Sequence, residues 1–257
     1  MRVALIGLGT IARGVLELLQ PADHIDVVGA LVAHPNKPRP GVHVRLCVRI
    51  EDLLALQPEV VVELAGHAAL RCHAPSVLRA GIDVLMLAVG ALAEPHTERS
   101  IVEAARAGKS RAIVVSGGIG GLDAIAAASA GHLTRVTHFT RKPARALLPP
   151  DEAAALREPR ELFAGSAREG ALKFPESINV AAAVSLAGLG LDRTEVRVVA
   201  DPALERNRHE VVAEGDFGRL RFEIENVPSD DNPRTGRLVA MSVVQALRRR
   251  QAPLQIG

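Results

Sequence analysis

A chain of 257 residues, 48% hydrophobic and 23% charged, is long enough for one large domain or two small ones around a substantial core. Only 2% of it is aromatic, with no Trp and no Tyr, so the core is built from Ala, Val, Leu and Ile, and the stacking platforms of single-strand nucleic-acid binders are missing. The net charge of +2 comes from dispersed residues, and the one dense run, Arg248 to Arg250, ends a helical pattern where cations face the negative end of the helix dipole; no nucleic-acid partner is expected.

The N-terminus enters a strand at once, over residues 3–6, with no charged leader or cleavage site, which makes the cytoplasm the expected location. Further strands are expected over 27–32, 44–48, 60–64, 84–89 and 112–115, apolar on both faces as in a sheet covered on both sides. Helical patterns over 11–19, 50–56, 69–80 and 95–107 alternate with them, and Gly81 and Gly108 stand where left-handed C-terminal caps belong. This βαβ rhythm implies an α/β fold with an N-terminal, Rossmann-type doubly wound parallel sheet.

From about residue 120 the rhythm changes. Helices are expected over 151–156 and 178–189, and strands over 195–200, 207–214 and 217–225, the last two joined by a turn at Glu214-Gly215-Asp216. The pattern suggests a second α/β domain with a mixed or antiparallel sheet. Its longest apolar stretch, 178–191, carries Asn179 and Ser185 and is too short for a membrane span. Residues 226–233 read as a loop, and a last helix is expected over 234–249. Cys47 and Cys72 belong to no CxxC pair and read as buried free thiols.

The first strand runs into Gly7-Leu8-Gly9-Thr10-Ile11-Ala12 and then a helix, which is G-x-G-x-x-A in the setting that gives the motif meaning. Gly7 permits the tight turn, Gly9 lets backbone approach a pyrophosphate, and Ala12 lets the helix pack close. The helix start, with Thr10 and Ile11, offers free amides and a positive dipole end to phosphates. The second strand ends Leu31-Val32-Ala33-His34, without the acid that holds ribose hydroxyls in NAD binders. His34 and Lys37 stand there instead, so the cofactor is NAD or NADP. Ala65 and Gly66 follow the fourth strand at the edge where such sheets bind ligands, and small residues there let a cofactor lie across it. His67 reads as a helix cap.

With these motifs in place, the chain resembles the L-aspartate dehydrogenase family nearly end to end. The likeness lies in GLGTIA at 7–12 with the preceding strand, ELAGH at 63–67, VGALAEP at 89–95, SGGIGGLDA at 116–124 and TRKP at 140–143. It continues through the long run at 165–194, NRHEV at 207–211 and DNPRTGRL at 231–238. The resemblance implies a dinucleotide domain over about 1–118, a substrate and dimerisation domain over about 119–233, and a C-terminal helix packing back on the first. It implies reversible NAD- or NADP-dependent oxidation of L-aspartate to iminoaspartate, then oxaloacetate and ammonia, in a homodimer that feeds pyridine-nucleotide biosynthesis. It assigns catalysis to His209 and cofactor contacts to Asn179 and to Gly118, where Ala is usual.

The chemistry asks for a proton acceptor near working pH and for cations or hydroxyls to hold two carboxylates. His209 suits the first task, with Asn207 on its own strand face. Arg141, Lys142, Ser166 and Arg168 are the substrate-side candidates, with Lys173, Arg234 and Thr235 behind them; Pro233-Arg234-Thr235, as the opening of a helix, adds a second anion site. No His or Cys cluster has metal spacing, so no metal is expected. Two alternatives remain: a related reductase of homoserine or dihydrodipicolinate type, for which lysine-centred motifs are expected, and a non-catalytic dinucleotide sensor.

Overall fold

The computed structural model describes residues 1–174, 178–229 and 232–255. The chain divides into two units, Met1–Gly117 with Val239–Gly257, and Gly118–Leu238. In the first unit β1 (Arg2–Ile6) leads through α1 (Thr10–Leu18) to β2 (Asp26–Leu31), β3 (Leu46–Cys47) and α2 (Ile50–Leu54). Then come β4 (Val60–Glu63), α3 (His67–Arg79), β5 (Asp83–Met86), α4 (Pro95–Gly108) and β6 (Ala112–Val114). The six strands lie in the order β3-β2-β1-β4-β5-β6, all parallel. Val60, Val61 and Val62 are wholly buried, which is why the central strands read as unbroken apolar runs. Strand order reverses between β1 and β4, so the loops leaving these two strands border the crevice where such sheets take ligands.

Four expectations needed correction here. The strand expected over 44–48 shrinks to the two residues of β3, because only Leu46 and Cys47 find partners on β2. The strand expected over 84–89 ends at Met86, and Val89–Ala93 winds into a 3-10 turn. Gly81 takes the left-handed conformation (φ +80°) after α3, but after α4 that position falls to Lys109 (φ +53°). Gly108 is needed for another reason: a side chain there would run into the Leu78 carbonyl where α4 meets α3. Cys47 is buried as expected, whereas Cys72 lies exposed on α3.

The second unit holds α5 (Leu122–Ser129), β7 (Leu133–Pro143), α6 (Pro150–Ala155), β8 (Arg160–Ser166), α7 (Ala167–Lys173) and α8 (Asn179–Ala187). β9 (Glu195–Asp201), β10 (Arg208–Gly215), β11 (Gly218–Glu225), β12 (Pro228–Ser229) and β13 (Asn232–Gly236) follow. Its sheet has the order β11-β10-β7-β9-β8; β7 and β9 run parallel and the other pairs antiparallel. Val136, Val211 and Ala213 on one face pack with Ile125 of α5 and Val184 of α8. The short strands β12 and β13 occupy part of what reads as a loop. Because β13 runs through Gly236, residues 233–235 open no helix, and the anion site expected at their amides does not form.

α9 (Leu238–Arg249) closes the chain. Ala240, Val243, Val244 and Leu247 join the core formed by Val3, Leu5, Ala12 and Val15. Gly14 on α1 makes the approach possible, since a Cβ there would sit 3.1 Å from that of Ala240. The basic run at the end of α9 has ion-pair partners as well as the dipole. Arg248 grips Asp23 at 2.6 and 2.8 Å, and Arg250 reaches Asp83 at 2.7 Å. Leu247→Ala, which empties a fully buried site, is expected to destabilise the first unit by about 2–5 kcal/mol, read as an earlier midpoint in urea unfolding.

Candidate active site

The turn after β1 is shaped to receive a phosphate. Gly7 has φ +94°, which L side chains avoid, and a Cβ on it would lie 2.7 Å from the Cβ of Ala65 in the loop after β4. Gly9 is the N-cap of α1, no side chain caps that helix, and a Cβ on Gly9 would meet no protein atom within 4 Å. The amides of Thr10 and Ile11 belong to the first turn of α1, whose N–H groups have no partner within the helix, while Ala12 is fully buried in the core. These residues fit the pyrophosphate of a dinucleotide.

Two further loops at this edge are tied together by a buried acid that stands first in the ELAGH motif, where pattern reading gives it no role. The Glu63 carboxylate accepts the amides of Ala65 and Gly66, each at 2.7 Å, and of Ala88 at 3.0 Å. Burial pushes its pKa up, against the downward pull of those amides. Gly66, with φ +100°, then starts α3 at His67. His34 lies exposed just beyond β2.

In the second unit, His209 sits on β10 directly opposite Thr140 of β7 and is only 7% exposed. Its Nδ1 lies 3.4 Å from the Thr140 hydroxyl, and its ring stacks on that of His138, with centroids 5.4 Å apart. His138 is wholly buried, and its pKa is held well below the usual histidine value by burial and by its neighbour. Burial, and after it the positive charge of Lys142, lowers the His209 pKa to about 4. His138, Thr140 and Lys142 alternate along one face of β7, so all three point to the side that carries His209. Arg141 points to the opposite face, with its guanidinium over the Phe139 ring at 5.9 Å.

The other expected substrate ligands are engaged within the unit. The Ser166 hydroxyl caps α7 by accepting the Glu169 amide at 3.2 Å, and Glu169 returns a carboxylate oxygen to the Ser166 amide at 2.8 Å. Arg168 forks onto Asp192 at 2.5 and 2.9 Å. Lys173 lies over the rings of Phe163 and Phe174. The side chain of Arg234 lies outside the described residues. Asn207, which precedes β10, accepts the Asn226 amide at 2.9 Å through its carbonyl. Asn226 also donates its side-chain amide to the Gly118 carbonyl at 3.0 Å. Asn207 and Asn226, with Arg145 and Arg206, line a cavity of about 200 Å³ at this end of the sheet. Asn179 is the first residue of α8. Among the described residues no three His, Cys, Asp or Glu side chains gather as metal ligands, and no helix is long and apolar enough to cross a membrane.

The model for the C-terminal domain of aspartate dehydrogenase matches residues 123–250, and that for the NAD-binding domain of homoserine dehydrogenase matches 7–115. The L-aspartate dehydrogenase of Ruegeria pomeroyi is 42% identical over 265 residues, covering 99% of this chain and 94% of the relative. The chain belongs to the aspartate dehydrogenase family. L-aspartate dehydrogenase 2 of Bordetella bronchiseptica is 40% identical, covering 100% and 99% of the two chains. Among solved structures, aspartate dehydrogenase from Thermotoga maritima superposes with a TM-score of 0.82 at 25% identity, over 100% of this chain and 99% of that one. An archaeal homoserine dehydrogenase in complex with NADPH shares the fold, with a TM-score of 0.61 at 10% identity.

For this family member, then, the sequence motifs map onto two clusters, the loops around Gly7, Gly9, Ala65 and Gly66, and the sheet face around His209. Thr140, His138 and Asn226 escaped sequence reasoning. The one available signal was TRKP, seen as a motif but not as the end of a strand. Gly9→Ala offers a sharp test, because its Cβ meets no protein atom. The melting temperature is expected to stay within about a degree, while NADH affinity, followed by cofactor fluorescence, falls about tenfold or more.

Proposed function

We propose that this chain oxidises L-aspartate to iminoaspartate, which is hydrolysed to oxaloacetate and ammonia, using NAD or NADP, with His209 as the general base. The observation that carries the catalytic assignment is a buried imidazole, unprotonated at neutral pH, with Thr140 at its Nδ1 and Lys142 on the same sheet face. When bound, the nicotinamide supplies the hydride acceptor for Cα. The residues of this chain manage what remains.

An amino acid presents its amine for oxidation in the neutral form, and the imine then takes up water. Deprotonation of the substrate ammonium releases one proton, and water adding to the iminium left by hydride loss releases another; an unprotonated imidazole is built to accept one. Thr140 fixes the ring through Nδ1, which leaves Nε2 for the transfer. Lys142 supplies a positive charge for one substrate carboxylate, and Asn207 supplies an amide nearby. Asn179 and the Gly118 backbone serve the cofactor in this reading, with Gly7, Gly9, Thr10, Ile11, Ala65 and Gly66. Family resemblance supports a cytoplasmic homodimer that feeds pyridine-nucleotide synthesis. A monomer in light scattering would overturn the dimer.

His209→Ala is expected to lower kcat by about 10²–10⁴-fold while NADH still binds, measured by absorbance of the reduced cofactor with oxaloacetate and ammonium. Full activity in that variant would remove His209 from the mechanism. The pH dependence follows from the lowered pKa. In kcat/KM, the limb set by His209 is expected to fall as pH drops through about 4, rather than near the ordinary 6.5. Stability has the same sign: the folded state binds the proton less readily than the unfolded chain. The contribution of His209 is therefore full above pH 6.5 and is lost as pH falls toward about 4.

A further inference from the structure

From Ala33 to Arg49 the chain has no Asp or Glu, yet it holds His34, Lys37, Arg39, His43, Arg45 and Arg49. The segment begins at the carboxyl end of β2, where a dinucleotide fold places the adenosine ribose. The first exposed residues there form a turn, in which the Lys37 amide donates to the His34 carbonyl at 3.2 Å with Pro35 and Asn36 between them. Such a turn brings its first and last Cα within about 7 Å of each other. Half-buried Arg39 braces it by donating to the carbonyls of His34 and Lys37, both at 2.8 Å, and of Pro35 at 3.4 Å.

The cations of the same unit fall into two groups, some paired and others, such as Arg99 and Arg106, with no ion pair among the described residues; what distinguishes this turn is its place at the end of β2. Arg2, Arg49, Arg71, Arg111, Arg248 and Arg250 all lie against a carboxylate. His34 and Lys37 are exposed, and among the described residues neither forms an ion pair. Two side chains that can carry positive charge thus flank one braced turn, at the position where an NAD-specific site carries an acid. A ribose 2′-hydroxyl gains little from them, whereas a 2′-phosphate gains two charge-assisted partners.

We propose that His34 and Lys37, held on the turn that Arg39 braces, form a subsite for the 2′-phosphate of NADP, so that the chain prefers NADP(H) over NAD(H). This rests on the dinucleotide reading of the Gly7–Gly9 turn. It names three residues that set specificity: two by contact and Arg39 by shaping the backbone.

The test is equilibrium binding, without turnover, by fluorescence titration of the full chain with NADPH and with NADH. NADPH is expected to bind about tenfold or more tightly, and adenosine 2′,5′-bisphosphate should displace it better than adenosine 5′-monophosphate. Lys37→Ala should remove most of that preference while NADH affinity stays within about twofold. Ala33→Asp, which restores an acid at the strand end, should reverse it. Equal binding of the two cofactors by the wild type, or an unchanged preference in Lys37→Ala, would overturn the subsite and leave the dinucleotide reading standing. Binding of neither cofactor would overturn both.

Discussion

The pairing of His209 with Thr140 governs the second unit. β7 and β10 run antiparallel, and their register puts His209 opposite Thr140 and Val211 opposite His138. Side chains alternate along a strand, so this register sends His138, Thr140, Lys142 and His209 to one face, and Arg141 and Glu210 to the other. A slip of one residue would turn the imidazole away from Lys142 and leave Thr140 opposite a different partner. The register is secured further along the same strands, where Val136, Val211 and Ala213 are fully buried against α5 and α8. Apolar burial at one end of the sheet thus sets the geometry of polar chemistry at the other.

The dinucleotide unit answers to a different constraint. Its ligand edge consists of loops, and loops hold a shape only when something ties them. Glu63 does so from inside: one carboxylate accepts amides from the loop after β4 and from the loop after β5. A buried carboxylate is costly alone and tolerable when its lone pairs are met by fixed donors. Ala65, held in this way, lies against Gly7, where no side chain would fit. The turn after β1 and the loop after β4 are therefore one assembly, and each small residue in it follows from the closeness of the next.

The parallel sheet could be read from the sequence because its central strands are buried on both faces and apolar along their length, with charged residues such as Arg2, Asp26, Glu63 and Asp83 only at strand ends. The second sheet was only partly visible. β10 and β11 alternate, β9 is rich in valine, and all three were expected, whereas β7, the strand at its centre, was not. The reason is physical. Thr137, His138 and Thr140 are buried at 2%, 0% and 1% exposure, so polar side chains occupy positions that a period-2 reading expects to be apolar. Local rules fail where polar groups are buried in the interior. In the same way, a pattern search finds the glycine turn and the histidine but gives no role to Glu63 or Asn226, whose importance lies in amides and carbonyls far along the chain. Ser166 and Arg168 looked available in sequence because nothing there shows that Glu169 and Asp192 hold them.

The pairing of Lys142 with His209 has a consequence for a substrate that carries two carboxylates. A cation near an imidazole disfavours protonation of the ring, and burial has already done the larger part of this. In the proposed reading, a substrate carboxylate comes to rest against Lys142. Its negative charge offsets that of the ammonium and removes the smaller of the two influences on His209. The ring then takes up a proton more readily with the acid in place than without it. The free site therefore holds its base unprotonated and ready, and the arrival of the dianion strengthens that base when a proton has to be accepted. An amino acid without a second carboxylate has only one such charge to give, so basicity and recognition both run through the charge on Lys142.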